Sequence, residues 1–313
     1  MERKDQKLSI VIPVFNEEAN IDLLIERLEN FVNKIEINSE IILVDDHSTD
    51  KTSELIQAHC EKISYLKYIR LSKNSGSHVA IIAGFQHATG DCATFLAGDL
   101  QDPPELIEKL LEQWLQGYKV VWAVREQRKG VSFFSKLLSA LFYHLFNRFA
   151  DIYYPPNGAD FALLDRQVLQ ALLQTVGSKP SLGGLIVWLG FEQTEVPYIK
   201  EARKHGKSKW TLAKKLNAFA DAFVGFSYAP LRLMSYSGFM FAFLGFIYAF
   251  VSIVLKLGWN AQIPGWTSLM VVILFLGGIQ MLMLGVLGEY LWRNLEESRK
   301  RPLFIIEKSN GFE

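Results

Sequence analysis

The stretch Ser9-Ile10-Val11-Ile12-Pro13-Val14-Phe15-Asn16-Glu17-Glu18 decides the fold, because a run of β-branched residues gives way abruptly to a polar cluster. Four similar runs follow and are predicted to be strands: Glu40–Asp46, Tyr65–Leu71, Cys92–Leu96 and Lys119–Val124. Helical patterns lie between the runs, at Glu17–Val32, Asp50–Cys60, Ser77–Ala88 and Pro104–Gln116. Strands that alternate with helices predict an α/β fold with a mostly parallel sheet and flanking helices.

Polar clusters follow three of these predicted strands. They are Asn16-Glu17-Glu18 after the first strand, Asp45-Asp46-His47-Ser48 after the second, and Gly98-Asp99-Leu100-Gln101 after the fourth. Ligands of such sheets bind beyond the carboxyl ends of the strands, so these clusters are the candidate site. The sequence has no Gly-x-Gly-x-x-Gly after the first strand and no Walker lysine loop, which disfavours a dinucleotide or P-loop fold.

The cluster after the fourth strand contains the best candidate for a metal site. Mg²⁺ and Mn²⁺ prefer oxygen ligands, usually one or two carboxylates together with phosphate oxygens. Asp99 and Gln101 are two positions apart, and in an extended segment this spacing points both side chains to one side. Asp102 has a competing structural interpretation as a helix N-cap before Pro103. Asp45 is interpreted either as part of a turn or as an acceptor for a nucleobase N–H.

The bulk composition limits the possible partners and the compartment. The 33 basic residues balance 33 acidic ones, so no overall positive charge attracts nucleic acid. The chain has two cysteines, Cys60 and Cys92, which fits a reducing compartment and argues against a disulfide framework.

Two uncharged stretches, Leu233–Leu255 and Trp266–Gly288, are each 23 residues long. About 20 apolar residues cross a bilayer as a helix. Basic residues flank the pair on both sides, whereas the connection carries only Lys256, and this asymmetry predicts a cytoplasmic head on a multi-pass anchor in the inner (plasma) membrane. Trp210–Phe226 has apolar residues at spacings of four and three, which favours a helix in the membrane interface over a core helix.

These observations divide the chain into four parts. The predicted parts are a head domain at 1–209, an interfacial amphipathic helix at 210–230, a two-helix transmembrane hairpin at 231–290 and a cytoplasmic tail at 291–313.

The chain as a whole resembles the polyprenyl-phosphate glycosyltransferases of the inverting GT-A superfamily (glycosyltransferase family 2). This is the group of dolichol-phosphate mannose synthase and the bacterial undecaprenyl-phosphate sugar transferases. The resemblance covers nearly the whole length and is carried by the first-strand stretch, Val44–Asp50, Asp99–Glu105, Asp160–Arg166, Arg203–Trp210 and Gly288–Leu291. The last three segments and the paired uncharged stretches are specific to the membrane-lipid branch.

The resemblance implies a GT-A (Rossmann-like) head that transfers a sugar, with inversion, from a nucleotide-sugar carrying UDP to undecaprenyl or another polyprenyl phosphate. It assigns donor binding to Pro13, Phe15, Glu17, Asp45, Gly98, Asp99, Arg203, Ser208 and Lys209. It assigns catalytic roles to Asp160, as the base, and to Asp99. Asp99 and Gln101 would hold Mg²⁺ or Mn²⁺, and the acceptor phosphate would bind to Arg125, Lys136 and Ser139. The basic loop that contains Arg203 would close over the donor.

Two departures from the family pattern keep other functions open. Ala97 replaces the usual first Asp of Asp-x-Asp, and Ala162 replaces an Arg that commonly follows the catalytic Asp. One alternative is therefore a catalytically impaired membrane protein that acts as a nucleotide-binding scaffold. Another is a processive polysaccharide synthase, although the sequence lacks a Gln-x-x-Arg-Trp motif and further spans.

Glycines in the uncharged stretches bear on assembly. They recur at a spacing of seven, as Gly238 and Gly245 and as Gly278 and Gly285. Small residues let membrane helices approach closely, although glycine is also simply tolerated in such helices. We expect a homo-oligomer, and the resemblance favours a tetramer.

Overall fold

The computed structural model describes residues 6–126, 159–177, 181–200, 229–259 and 265–312. The chain separates into two compact units, one that holds a β-sheet and one that holds two long C-terminal helices. The strands of the first unit are β1 (Lys7–Val14), β2 (Asn38–Asp45), β3 (Leu66–Leu71), β4 (Cys92–Phe95), β5 (Val120–Arg125), β6 (Ala159–Asp165), β7 (Gln193–Tyr198) and β8 (Ile306–Asn310). Its helices are α1 (Ile21–Val32), α2 (Thr52–Cys60), α3 (Ser77–His87), α4 (Leu106–Leu115), α5 (Arg166–Thr175) and α6 (Leu182–Trp188).

The strands form one sheet in the order β7-β5-β6-β4-β1-β2-β3-β8. Neighbours pair in parallel from β4 through β1 and β2 to β3, and β5 pairs in parallel with β7. The antiparallel strands are β6, between β4 and β5, and β8, beside β3. The predicted mostly parallel, helix-flanked sheet is therefore confirmed. The sequence did not predict β8, which lies in the segment interpreted as a tail.

The central strands are continuous apolar runs because both of their faces are buried. Ile10, Val11 and Ile12 are all fully enclosed, as is typical of parallel sheets covered by helices on both sides. On one face α3 lies so close to β1 that a Cβ built on Gly84 would lie 2.3 Å from the Val11 Cγ1 atom. Only glycine permits this contact without displacing Val11.

The buried carboxylate of Glu40 connects the strands near their amino ends, opposite the end of the sheet that carries the polar clusters. Glu40 accepts hydrogen bonds from Ser9 Oγ (2.6 Å) and the Thr89 N–H (2.7 Å), and it contacts Lys67 Nζ (2.9 Å) and Lys7 Nζ (3.1 Å). Burial opposes its ionisation, but these donors outweigh burial and lower the pKa of Glu40 to about 2. Glu40 is therefore a structural residue of the sheet.

Two β-bulges place acidic side chains at the carboxyl ends of β5 and β3. Between β5 and β6, Phe161 faces Ala123 and Ala159 faces Val124, which leaves Asp160 as the extra residue. Between β3 and β8, Lys308 faces Arg70 and Ile306 faces Leu71, which leaves Glu307 as the extra residue. Bulges redirect side chains and are common next to active sites.

The second unit consists of α7 (Ala229–Trp259) and α8 (Trp266–Ser298). Leu231–Tyr248 and Ser268–Ser298 are long and apolar enough, by length and composition, to cross a membrane. The helices touch through Phe241 and Phe275, whose rings meet edge to face at 5.6 Å. A Cβ built on Gly238 would lie 3.6 Å from Met283 Cε. No described residue bears on the oligomeric state, which stays a prediction.

Candidate active site

The candidate site lies at one edge of the sheet, where the strands end. This edge is formed by the carboxyl ends of β1, β2, β4, β5 and β7 and by the amino ends of the antiparallel strands β6 and β8. Three non-glycine residues at this edge adopt a left-handed backbone, namely Asn16 (φ 50°), His47 (φ 64°) and Leu100 (φ 61°). Each follows a different strand. Such conformations cost about 1–3 kcal/mol each and cluster at functional sites. The predicted position of the site is thus also where the backbone is strained.

The loops that follow β1 and β2 are joined by reciprocal hydrogen bonds. The Asn16 N–H donates to Ser48 Oγ (2.9 Å), and Asn16 Oδ1 accepts from the Thr49 N–H (2.8 Å). The Glu17 N–H donates to Thr52 Oγ1 at 2.9 Å. These bonds hold the half-buried residues Pro13, Phe15 and Glu17, all predicted to bind the donor, beside the end of β2.

Asp45, also predicted to bind the donor, ends β2 with its side chain 0% exposed. Its Oδ1 atom accepts a hydrogen bond from the Ser48 N–H (2.8 Å), and its Oδ2 atom contacts the Arg70 guanidinium and the Tyr68 hydroxyl. A carboxylate offers about four lone-pair positions, so these three bonds leave one for a ligand. Because the carboxylate is fully covered, a nucleobase reaches that position only when a side chain that covers it moves aside.

Asp46 has a different task. It accepts the N–H groups of Ser75 (2.6 Å) and Gly76 (2.8 Å), so it holds the loop before α3. Burial raises the pKa of Asp46, and these two hydrogen bonds oppose the rise. Of the neighbouring acids Asp45 and Asp46, it is therefore Asp46 that holds the loop before α3 in place.

The turn after β4 carries Gly98, Asp99 and Gln101. A Cβ built on Gly98 would lie 3.0 Å from Val14 Cγ1 and 3.2 Å from the Pro13 carbonyl oxygen, so glycine lets this turn approach β1. Asp99 is half-buried, and its Oδ1 atom accepts the Gln101 N–H at 3.2 Å. The extended geometry assumed for Asp99 and Gln101 is wrong, because Leu100 turns the chain between them and anchors its own side chain in the core.

A second cluster lies where β5, β6 and β7 reach the same edge. Arg125 binds Asp160 through two hydrogen bonds, from Nε and from a terminal nitrogen. The Tyr198 hydroxyl lies 2.7 Å from Asp160 Oδ2 and 2.8 Å from Asp102 Oδ1. Lys200 Nζ lies 2.9 Å from Asp102 Oδ1 and 3.6 Å from Asp160 Oδ1. This cluster unites Asp160, predicted as the base, with Arg125, predicted as a phosphate ligand.

The two carboxylates of this cluster have opposite pKa shifts. Burial opposes ionisation of Asp160, but the Arg125 hydrogen bonds, the Lys200 charge and the Tyr198 hydroxyl outweigh it and lower the pKa of Asp160. Burial raises the pKa of Asp102, although Lys200 acts against it. Burial and both carboxylates raise the pKa of Tyr198, so its hydroxyl stays a proton donor. Asp160 is therefore the more acidic of the two carboxylates.

The sequence interpretation missed three members of this cluster. The N-cap interpretation of Asp102 is wrong, because α4 begins at Leu106 after its N-cap Glu105. Tyr198 and Lys200 were both assigned only to a basic loop, Tyr198–Lys209, which follows a predicted edge strand at Glu192–Pro197. The available signal was their position at the end of a strand, two positions apart.

Several predicted site residues lie outside the described residues. They are Lys136, Ser139, Arg203, Ser208 and Lys209, together with nearly all of the interfacial helix predicted at 210–230. The roles assigned to them stay predictions.

Two family models match the chain. The model described as "Glycosyl transferase family 2" matches residues 9–173, and "GtrB C-terminal hairpin" matches residues 229–293. A glycosyltransferase of Bacillus subtilis (strain 168), YkcC, is 41% identical over 305 residues, which cover 97% of this chain and 94% of that protein. The prophage bactoprenol glucosyl transferase homolog of Escherichia coli (strain K12) is 34% identical over 96% of this chain and 99% of its own length. The bactoprenol glucosyl transferase of Shigella phage SfII is 33% identical over 97% and 98%. This chain therefore belongs to glycosyl transferase family 2.

Proposed function

We propose that this protein transfers a sugar, with inversion, from a UDP-sugar to undecaprenyl phosphate or a related polyprenyl phosphate. The observation that carries the proposal is the shared edge of the sheet. Both the Asp45 and Asp99 loops and the Arg125–Asp160 pair lie there. Relatives named bactoprenol glucosyl transferases, which match this chain over nearly its whole length, support a polyprenyl acceptor.

The side chains at the site fit a divalent cation that binds together with the nucleotide-sugar. Among the described residues no group of three or more His, Cys, Asp or Glu side chains is arranged so that it could hold a metal ion. Mg²⁺ commonly takes one or two carboxylates and completes its shell with substrate phosphates and water. Asp99, with Gln101 nearby, would hold Mg²⁺ or Mn²⁺ against the donor diphosphate, where the cation's charge favours departure of the nucleoside diphosphate.

The acceptor needs little help to become a nucleophile. The second pKa of a phosphate monoester is about 6, so an acceptor oxygen is already ionised at neutral pH. This oxygen forms a bond to the anomeric carbon as the bond from that carbon to the diphosphate breaks, and UDP leaves. Asp160 has a lowered pKa and two hydrogen bonds from Arg125, so it is a weak base. We assign to Asp160 the orientation of Arg125 toward the acceptor phosphate.

The membrane part of the proposal explains why the acceptor is a lipid. The apolar helices α7 and α8 would form the anchor, and Arg293, Arg299, Lys300 and Arg301 after the second apolar stretch favour a cytoplasmic location for the sheet. The basic loop around Arg203 would close over the donor diphosphate, since guanidinium groups pair well with phosphate oxygens.

The test is transfer by the full chain in detergent. The purified protein would receive undecaprenyl phosphate, Mg²⁺ and a panel of radiolabelled nucleotide-sugars, and the products would be extracted into organic solvent. A labelled lipid from one donor is expected. Label that stays in the aqueous phase as polymer would instead indicate a polysaccharide synthase, and no incorporation from any donor would refute the proposal.

A variant pair tests the role of Asp99 in this assay. Asp99→Asn should lower turnover by roughly 100-fold or more, because a cation at the diphosphate contributes several kcal/mol to the transition state. The matched control is Asp91→Asn, an exposed aspartate at the opposite edge of the sheet, which should keep wild-type turnover. Full activity of Asp99→Asn, or of the wild type in excess EDTA, would overturn the metal assignment.

A further inference from the structure

Strand β8 brings a carboxylate to the donor side of the sheet from a distant part of the sequence. Glu307 is the extra residue of the bulge between β3 and β8, and its Oε2 atom accepts a hydrogen bond from Arg70 Nε at 2.9 Å. The two residues are 237 positions apart in the chain, and both apolar helices lie between them. The segment after the apolar helices therefore contributes a side chain to the edge that carries the candidate site.

Arg70 connects this carboxylate to Asp45. Besides the bond from Nε to Glu307, its NH1 group donates to Asp45 Oδ2 and its NH2 group donates to the Ser48 carbonyl oxygen at 3.0 Å. A guanidinium is a rigid plane, so fixing Nε fixes the direction of the other two groups. Glu307 thus orients the Arg70 guanidinium, the cation that faces the fully buried carboxylate of Asp45.

The consequence extends to the loop after β1. Ser48 presents its N–H to Asp45 Oδ1, its carbonyl oxygen to Arg70 and its Oγ atom to the Asn16 N–H. An Arg70 side chain released from Glu307 can turn away from Asp45 and Ser48, and both loops then lose a shared restraint. Glu307 itself is 41% exposed, and exposed ion pairs add little to stability. Its contact is therefore better suited to orienting Arg70 than to holding the fold.

We propose that Glu307 is a positioning residue for the donor nucleotide: through Arg70 it holds Asp45 and Ser48 in the arrangement that binds the nucleoside diphosphate. The proposal rests on the function proposed above. It makes β8, which follows the apolar helices in the chain, a determinant of donor affinity.

The test compares Glu307→Gln with wild type and with Ser309→Ala, an exposed position on the same strand. The full chain in detergent would be assayed for the donor KM, the acceptor KM, kcat and UDP binding by calorimetry. For Glu307→Gln we expect the donor KM and the UDP Kd to rise about tenfold, the effect of removing a partner that orients a binding group. The acceptor KM, kcat and the unfolding temperature should match those of Ser309→Ala.

A second variant tests whether the effect passes through Arg70. Arg70→Lys keeps the charge but cannot bridge three acceptors in one plane. The double variant should raise the donor KM no further than Arg70→Lys alone, because both changes remove the same connection. Additive effects, or an unchanged donor KM in Glu307→Gln, would overturn the inference. An equal loss in every parameter together with a lowered unfolding temperature would also overturn it, because it would indicate a structural role. Failure of the proposed function would instead appear in the wild type, which would then form no labelled lipid.

Discussion

The hydroxyl of Tyr198 offers the sharpest test of the Arg125–Asp160 cluster. Tyr198→Phe removes one oxygen atom and leaves the ring, whose edge-to-face contact with Phe161 at 5.7 Å is kept. The variant therefore creates no large cavity. It takes away a donor that lies within 2.8 Å of Asp102 and 2.7 Å of Asp160, both largely buried.

The size of the effect follows from what each carboxylate keeps. One hydroxyl proton supplies one donated bond, and a hydrogen bond to a charged group contributes about 1.5–3 kcal/mol. Asp160 retains Arg125, and Asp102 retains Lys200 at 2.9 Å, so neither is left without a cation. We therefore expect a loss of about 1.5–3 kcal/mol and a fall in the unfolding temperature of about 3–12 °C.

The pH dependence of transfer should change in a defined direction. The Tyr198 hydroxyl is among the groups that lower the pKa of Asp160, so its removal raises that pKa. More Asp160 is then protonated at a given acidic pH, and the acid limb of the transfer rate moves to higher pH. Transfer and thermal unfolding, the latter followed by tryptophan fluorescence, measure both effects when the pH range extends from neutral to below the ordinary Asp pKa of ~3.9. The titration of the acceptor phosphate near pH ~6 is common to both proteins.

The control is Tyr118→Phe, a half-buried tyrosine whose hydroxyl has no hydrogen bond to the described residues. If Tyr198→Phe unfolds at the temperature of this control and keeps the wild-type pH profile, the two carboxylates do not share the hydroxyl. The reasoning about Asp160 would then be refuted.

Three further predictions concern other parts of the chain. Gly98→Ala should lower stability by about 1–3 kcal/mol and raise the donor KM, because the new Cβ would lie 3.0 Å from Val14 Cγ1; unchanged thermal unfolding and KM would contradict the close approach. Glu40→Gln should remove about 3 kcal/mol at neutral pH, since the pKa of Glu40 is lowered from 4.5 to about 2. The wild type has this stability above pH ~4.5 and loses it as pH falls toward 2, so urea unfolding should show this slope in the wild type and a flatter one in the variant. Arg203→Ala should greatly lower turnover in detergent while membrane binding is unchanged; near-wild-type turnover would reject loop closure over the donor.

The parts of this protein that the sequence predicted are those that depend on local patterns. The β-branched run at Ser9–Phe15 and the polar residues after it specify a buried parallel strand and the loop beyond it within ten positions. The missed parts depend on pairing between distant segments. The Tyr198 hydroxyl and Asp102 are 96 positions apart, and Arg70 and Glu307 are 237 apart.

The error at Asp102 has the same origin. Its local sequence, an acid before two prolines, fits a helix cap. In the structure, however, the Asp102 carboxylate binds Tyr198 and Lys200, which lie at the end of β7. The side chain is then buried, and α4 starts four residues later at Leu106. Tertiary partners that bind a buried carboxylate outweigh a cap, which contributes only about 1 kcal/mol.

The place of β8 in the sequence has a consequence for biosynthesis. Ile306 lies 235 positions after Leu71, so at ~5–20 residues per second the ribosome needs roughly 10–50 s to make the strand that covers β3. During that interval the nascent sheet has an open edge at β3, the kind of edge that recruits other chains. Both apolar helices are translated before this edge can be covered. A chain truncated within the helices therefore lacks the strand that covers β3, and its sheet keeps an unpaired edge strand.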